Sequence, residues 1–542
     1  MIEEWPEYGP DTLQNLCLEY CARNIHSFTT VNENFFLVLP DVYLPQGICD
    51  KLLALYVEIN DDIDDSFIHI FEDVRKTRLS QAKVGRTKIS SRAVKWICQH
   101  PLKELDLSRC MEVDSDSVSA IESVAKTLRC LKLEANPFWL NLNEWKTESN
   151  NLCAQETSPT NCMSELGQGD FLVNESSKKY FLVCPNLTAL FLRGFNLCSN
   201  TSDLLKRTLC PMRKLSYLDL TGSELNCCEL AGLECVPELQ SLVLADVRFS
   251  AADLLIVLHE ICKLKKLRHL DLSWGGEDTC KYTETEENMH YIMRNLPNLV
   301  SLDISGTNLA GLEKNKRESH RPEVNRSTVP VQDEGAGCSI PGLEGYRLQF
   351  LGLLDCADDA CTRQNIPAEK VTGDANESQI VLALQTYMER SNMLTKALNY
   401  IFNSFRAEDV RNQCAILEAI LAGMKRHSDD RHVQISGSAS LYFIVKGDQK
   451  DFITPLQKKE IVQAILESME TFKLEQIMLR NGCLTLCHFA IPELLFCYER
   501  LVKMLLELIE PTQNDFIIRL SIHLLTVWLV KWRGWRSGLS EN

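Results

Sequence analysis

No stretch of the chain is apolar for long enough to cross a bilayer. Its longest apolar runs, such as LLTVWLV from Leu524, fall well short of the ~20 residues that a helical span needs. No Lys/Arg run balances a formal net charge of −17, so the concentrated positive field that phosphate backbones require is missing, and nucleic acid and membrane are both excluded as main partners. None of the 23 cysteines stands in a C-x-x-C pair and none of the 11 histidines in an H-E-x-x-H, so no metal site and no cofactor is expected. An odd number of cysteines spread through a long chain fits reduced thiols better than a disulfide framework. G-x-x-x-x-G-K-[ST], G-x-S-x-G and a paired nucleophile and base are absent as well, which argues against an enzyme. The first ten residues, MIEEWPEYGP, are acidic and carry no apolar signal core, so the expected location is cytoplasmic, with the nucleus also open to it.

What the sequence does contain is a returning L-x-x-L-x-L spacing: LKELDL from Leu102, LRCLKL from Leu128, LTALFL from Leu187, LSYLDL from Leu215, LQSLVL from Leu239, LRHLDL from Leu267, LVSLDI from Leu299 and LQFLGL from Leu348. Alternate side chains of a strand share a face, so the second and third leucines of each unit point into one core. Most starts are about 24–32 residues apart, close to the ~20–29 of a leucine-rich repeat. One such strand cannot bury its leucines alone, so the units must stack as a solenoid. Two longer intervals hold polar insertions, near 141–180 and 313–340. Asp106, Asp219, Asp271 and Asp303 each follow the second leucine of a unit. They are either an acidic column open to a basic partner or a structural feature of the repeat.

IPAEKVTGDANESQ, from Ile366, packs turn-forming residues together and marks a change of period. Beyond it the pattern is helical throughout, and aligning Ala439, Cys483 and Ile522 gives intervals of about 44 and 39 residues, near those of armadillo or HEAT units. Two amphipathic helices precede the repeats. In DTLQNLCLEYCARNI, Leu13, Leu16, Cys17, Tyr20 and Cys21 share one face after a Thr12 or Asp11 N-cap. In LPQGICDKLLALYVEI, Pro45 suits the first helical turn, with Ile48, Leu52, Leu55, Tyr56 and Ile59 as the stripe. On pattern alone the pair covers the open end of the solenoid.

The expected fold class is therefore an α/β leucine-rich-repeat solenoid followed by an all-α armadillo-like solenoid, with an N-terminal helical box region. The expected domains are residues 1–95, 96–360 and 365–542, the last an incomplete set of repeats.

The residue types carry more than the pattern. Thr12, Leu13, Cys17 and Cys21 form [S/T]-L-x-x-x-C-x-x-x-Φ, which resembles the box that docks ubiquitin-ligase substrate receptors on elongin C; Leu44, Pro45, Ile48 and Leu52 form Φ-P-x-x-Φ-x-x-x-Φ, which resembles the cullin-two box that follows it. With LPQGICDKL, LRHLDLS, LVSLDISG, VTGDANESQI and VQISGSASLYF, the order of boxes and repeats resembles the Zyg-eleven and Zer-one family of cullin substrate receptors over nearly the whole chain, closer to the Zer-one branch. The resemblance implies elongin B/C and cullin-two with its RING subunit as partners. It also implies substrate proteins with an N-terminal glycine, delivered for ubiquitination and proteasomal degradation. The alternative is a repeat scaffold with no ligase role.

One departure matters. The family's pocket for the terminal ammonium resembles a Trp-Asn-x-Thr-Asp stretch, and no tryptophan here precedes Asn, so no degron pocket is expected in this chain. VWLVKWRGWRSGLSEN is expected to be a truncated or alternative C-terminus that leaves Leu524, Leu525, Trp528 and Leu529 exposed.

Overall fold

A computed structural model describes residues 12–60, 62–114, 116–134, 182–196, 204–249, 254–312, 339–407, 410–447, 453–489, 494, 497–509 and 514–539; of 227–228 and 529–539 it describes the backbone alone. Nearly all of both polar insertions lies outside the described residues. The chain forms two compact units, Met1–Leu272 with Tyr291–Leu299, and Ser273–His290 with Val300–Asn542.

The first unit opens with helix α1, Leu13–Arg23, and a hairpin, Thr29–Asn32 against Phe35–Val38. Helix α2, Gln46–Ile59, follows and packs on α1. Glu33 and Asn34 at the hairpin tip both have positive φ, the geometry of a two-residue turn whose twist suits antiparallel strands. Asp50 of α2 ties that helix to the repeats: the Ser80 backbone N–H and hydroxyl donate to its carboxylate at 2.8 and 2.6 Å.

Parallel strands then run in chain order at Gln81–Lys83, Glu104–Asp106, Cys130–Glu134, Ala189–Arg193, Tyr217–Asp219, Ser241–Val243 and His269–Asp271. Register stacks Ala82, Leu105, Leu131, Leu190, Leu218, Leu242 and Leu270 into one buried ladder, as the leucine spacing predicts. The array starts earlier than expected. Leu79, Ala82 and Val84 fill the three leucine positions of a repeat that begins inside residues 1–95, and all three are fully buried.

In the second unit, Ser301–Asp303, Leu348–Gly352 and Ala368–Thr372 continue the parallel pattern, pairing Leu302 with Leu351 and Leu351 with Val371. The last strand lies where the sequence suggested only a break, because Val371 finds a paired leucine despite the turn residues around it. Helices follow at α3 Glu377–Thr386, α4 Ser391–Arg406, α5 Gln413–Arg426, α6 Arg431–Lys446, α7 Pro455–Thr471, α8 Gln476–Leu486, α9 Tyr498–Glu507 and α10 Asp515–Leu539. They form two layers. One is the succession α4, α6, α8, α10; the other contains α3, α5 and α7. A Cβ on Gly437 of α6 would meet Met424 at 2.6 Å, and one on Gly482 of α8 would meet Met469 at 2.3 Å. Glycine at these matching places lets each helix approach its partner in the other layer. A leucine-rich-repeat region followed by a helical region is thus the architecture.

Candidate functional site

The N-terminal helix is two-faced. Thr12 caps α1, its hydroxyl accepting from the Asn15 N–H at 3.3 Å, and the Asn24 side-chain amide closes the other end on the Tyr20 carbonyl at 2.9 Å. Leu18 and Ala22 are buried against the rest of the unit. Leu13, Leu16, Cys17 and Tyr20, at i, i+3, i+4 and i+7, stand in solvent, with Leu13 77% and Tyr20 62% exposed. Cys21 is half-buried, and burial followed by the neighbouring Cys17 pushes its thiol up. The stripe read from the sequence therefore points outward, Cys21 excepted. Within the described residues, α1 buries its opposite side instead.

Helix α2 departs from the sequence reading in two respects. Pro45 is the N-cap, with extended backbone, so the helix starts at Gln46. Leu52 is an interior residue, 1% exposed, packed beside Cys49 and Leu53. Its side chain cannot itself meet a partner while that core is intact. Leu44 and Ile48 are half-buried and Pro45 is exposed, so these three form the accessible part of the second motif. The Leu44 N–H donates to the Lys76 carbonyl at 2.8 Å, and the Cys49 thiol donates to the Leu44 carbonyl at 3.2 Å, which fixes this entry to α2.

The aspartates of the repeats are not an open acidic column. Asp106, Asp219 and Asp303 each accept from the backbone N–H two residues on, in Ser108, Thr221 and Ser305. Asp106 also faces Lys132 at 3.2 Å, and Asp219 is buried with the Arg193 guanidinium at 2.6 Å. Asp271 is buried too. Asp106, Asp219 and Asp303 thus close their own turns, which is the structural alternative.

Cys210 and Cys235 face each other with Cα atoms 4.8 Å apart. They sit 25 residues apart, about one repeat, so stacking brings them together. Burial pushes the thiols of Cys98, Cys184, Cys361 and Cys483 up to about 12, which keeps them protonated and poorly nucleophilic. Among the described residues, no group of three His, Cys, Asp or Glu could hold a metal ion. No described helix is long and apolar enough to cross a membrane.

A second surface went unnoticed in the sequence. Helices α4, α6 and α8 and the entry to α10 enclose a groove of about 810 Å³ lined by Asn399, Phe402, Tyr442, Arg480, Asn481 and Phe516 among others. Leu524 and Trp528 of α10, expected to be exposed, are each 2% exposed in the helical core, and Leu525 packs against that core partly buried. The side chain of Leu529 lies outside the described residues.

Two family models match the chain: Zer-1-like, leucine-rich repeats, over residues 206–356, and protein zer-1 homolog-like, C-terminal domain, over 422–537. Protein zer-1 homolog of Drosophila melanogaster is 33% identical over 90% of this chain and 58% of its own length. The Homo sapiens protein zer-1 homolog is 30% identical over 95% of this chain and 65% of its own length. Zyg eleven-related protein 1 of Caenorhabditis elegans is 32% identical over 58% of this chain and 34% of its own. The chain thus spans less than two thirds of these relatives. With similarity over 90–95% of its length, and family models matching its repeats and its helical region, the chain belongs to the protein zer-1 homolog family.

Proposed function

We propose that this chain is a non-catalytic substrate receptor of a cullin-two RING ubiquitin ligase, with an armadillo-like helical region after its leucine-rich repeats. The observation that carries the reading is the outward apolar stripe of α1: Leu13, Leu16, Cys17 and Tyr20 stand in solvent while Leu18 and Ala22 hold the helix to its unit. An amphipathic helix laid into a partner's groove uses anchors at this spacing. Elongin B/C takes Leu13 and Cys17, with Thr12 setting the helix start and Cys21 at the rim. Cullin-two with its RING subunit meets Leu44, Pro45 and Ile48, which Leu52 supports from within. Substrates of such a receptor are proteins with a free N-terminal glycine, passed on for ubiquitination and proteasomal degradation in the cytoplasm or nucleus; without the Trp-Asn-x-Thr-Asp stretch, this chain alone should not bind glycine-initiated peptides.

Co-purification of elongin B/C tests this. Leu13→Ser should abolish it and leave the circular-dichroism melt nearly unchanged, since exposed substitutions typically shift stability by no more than ~0.5 kcal/mol. Leu18→Ala, in the core of the same helix, should cost about 2–5 kcal/mol. Full retention of elongin by Leu13→Ser would leave the scaffold reading in its place. Titration with peptides that begin Gly, Ser and acetyl-Gly tests the substrate class.

A further inference from the structure

We infer that the groove between α4, α6, α8 and the entry to α10 docks an extended, acidic segment of a partner protein that also carries aromatic or aliphatic side chains. The inference uses none of the residues assigned to elongin or cullin and stands independently of them.

The lining is apolar in the middle. Phe402 and Phe443 meet edge to face at 5.6 Å, with Ile435 and Ile477 alongside, so it offers aromatic and aliphatic surface to a side chain. Two side-chain amides are fixed within it. The Ser436 hydroxyl donates to Asn399 Oδ1 at 2.7 Å, which leaves Asn399 Nδ2 with no partner among the described residues. Asn481 Nδ2 donates to Ser438 Oγ at 3.2 Å, which leaves its Oδ1 uncommitted in the same sense. One amide therefore offers a donor and the other an acceptor. An extended backbone presents carbonyl and N–H groups in alternation and satisfies both, whatever its side chains.

Charge decides which segment fits. The lining contains Arg480 and no acid, in a chain of net charge −17. Beside it, Arg406 lies over the Phe402 ring at 6.0 Å and Lys446 over the Tyr442 ring at 5.6 Å. Among the described residues none of these three cations has a carboxylate partner. Elsewhere on α4 and α6 two bases are neutralised, Lys396 by Asp355 at 2.6 Å and Arg431 by Glu475 at 2.7 Å. Asp515, between lining residues Asn514 and Phe516, is an acid next to the lining in sequence but not part of it. A locally positive, aromatic groove on a strongly acidic protein selects an acidic partner by complementarity and turns away a second copy of its own negative surface.

The test is fluorescence anisotropy with the full chain and a fluorescein-labelled peptide of alternating Glu and Phe, acetylated and amidated at its ends so that no terminal ammonium contributes. Saturable binding that weakens with added salt is expected, and the Lys-for-Glu counterpart should not bind. Arg480→Glu should weaken binding about tenfold or more, the size of effect that reversing one charge at an interface produces. Its melt should match the parent, because Arg480 is exposed. Should Arg480→Glu misfold, Arg480→Gln should still show a several-fold loss. Leu13→Ser should bind the peptide as the parent does, so failure here and failure of the ligase reading are separable. Equal binding of the basic peptide, or an affinity unmoved by both Arg480 variants, would overturn the inference. So would tighter, Arg480-dependent binding of a single-stranded oligonucleotide of equal charge, which would assign the groove to nucleic acid.

Discussion

The phenolic hydroxyl of Tyr387, at the end of α3, donates to the Asp303 carboxylate at 2.9 Å, joining a repeat strand to the helices across 84 residues of sequence. Ser305 and Thr372 hydroxyls lie 2.8 and 3.1 Å from the same phenolic oxygen, and Ser305 Oγ also accepts from the Leu354 N–H at 2.9 Å. Tyr387 is fully buried and Asp303 nearly so. A buried carboxylate without donors is costly, so this hydroxyl is a requirement of the unit.

Tyr387→Phe keeps the ring and removes only the donor. It should destabilise the second unit by about 1–3 kcal/mol, the cost of leaving a buried acceptor short of a partner. Differential scanning calorimetry checks this, and a melt equal to the parent's would remove the network from the list of stabilising features.

The buried thiols set an alkaline limit. Burial raises Cys98, Cys184, Cys361 and Cys483 from 9.0 to about 12, so the folded chain holds protons that the unfolded chain releases. Their contribution is complete below pH 9 and is lost as pH rises from about 9 towards 12, because above 9 the unfolded state binds fewer protons. Melting temperature should fall across that window, and a flat profile to pH 11 would contradict it. Exposed Cys17 should react with a thiol reagent in the native state before these four do.

Most of the repeat array was legible because its period is written in leucine, and register then stacks Leu131, Leu190, Leu218 and Leu242 as the spacing implies. The strand at Ala82 was missed because Ala and Val stand in for leucine, and the hairpin because its tip, Glu33–Asn34, carries no glycine. The stripe on α1 was legible as a stripe. That Leu18 and Ala22, on the other side, would be the buried pair depends on contacts with α2 that periodicity does not encode. The groove was not legible at all, since Asn399, Tyr442 and Arg480 lie on three helices and share a surface only after the helices stack.

On the repeat strands, Arg193 and Asp219 form the pair most dependent on each other. Asp219 is 1% exposed and holds Arg193 Nη2 at 2.6 Å, while Arg193 keeps 34% of its side chain in water and packs over Phe191. Arg193→Ala should cost about 1–3 kcal/mol, less than the ~3–5 of a fully buried pair because water partly screens the guanidinium. In the double variant Arg193→Ala/Asp219→Asn part of that loss should return, since no uncompensated charge remains. A double variant worse than the sum of its parts would mean that the Asp219 contacts with Thr221 matter more than its charge.

Helix α2 separates a contact residue from a supporting one within a single turn. Ile48 is half-buried, and Leu52, four residues on, is 1% exposed and packed among Cys49 and Leu53. A partner that covers the entry to α2 would bury Ile48 and Pro45 and would never touch Leu52. Ile48→Ser with Pro45→Ser should therefore keep elongin B/C, lose cullin-two, and shift the melt little. Leu52→Ala opens a cavity and should cost about 2–5 kcal/mol. Because the cavity lies beneath the entry rather than in a contact, cullin-two binding by Leu52→Ala should recover at low temperature, where the variant is folded; the Ile48 and Pro45 double variant should not recover at any temperature. Parallel pull-downs at two temperatures with melts of each variant decide it. Retention of cullin-two by the double variant would place the cullin contact on another surface.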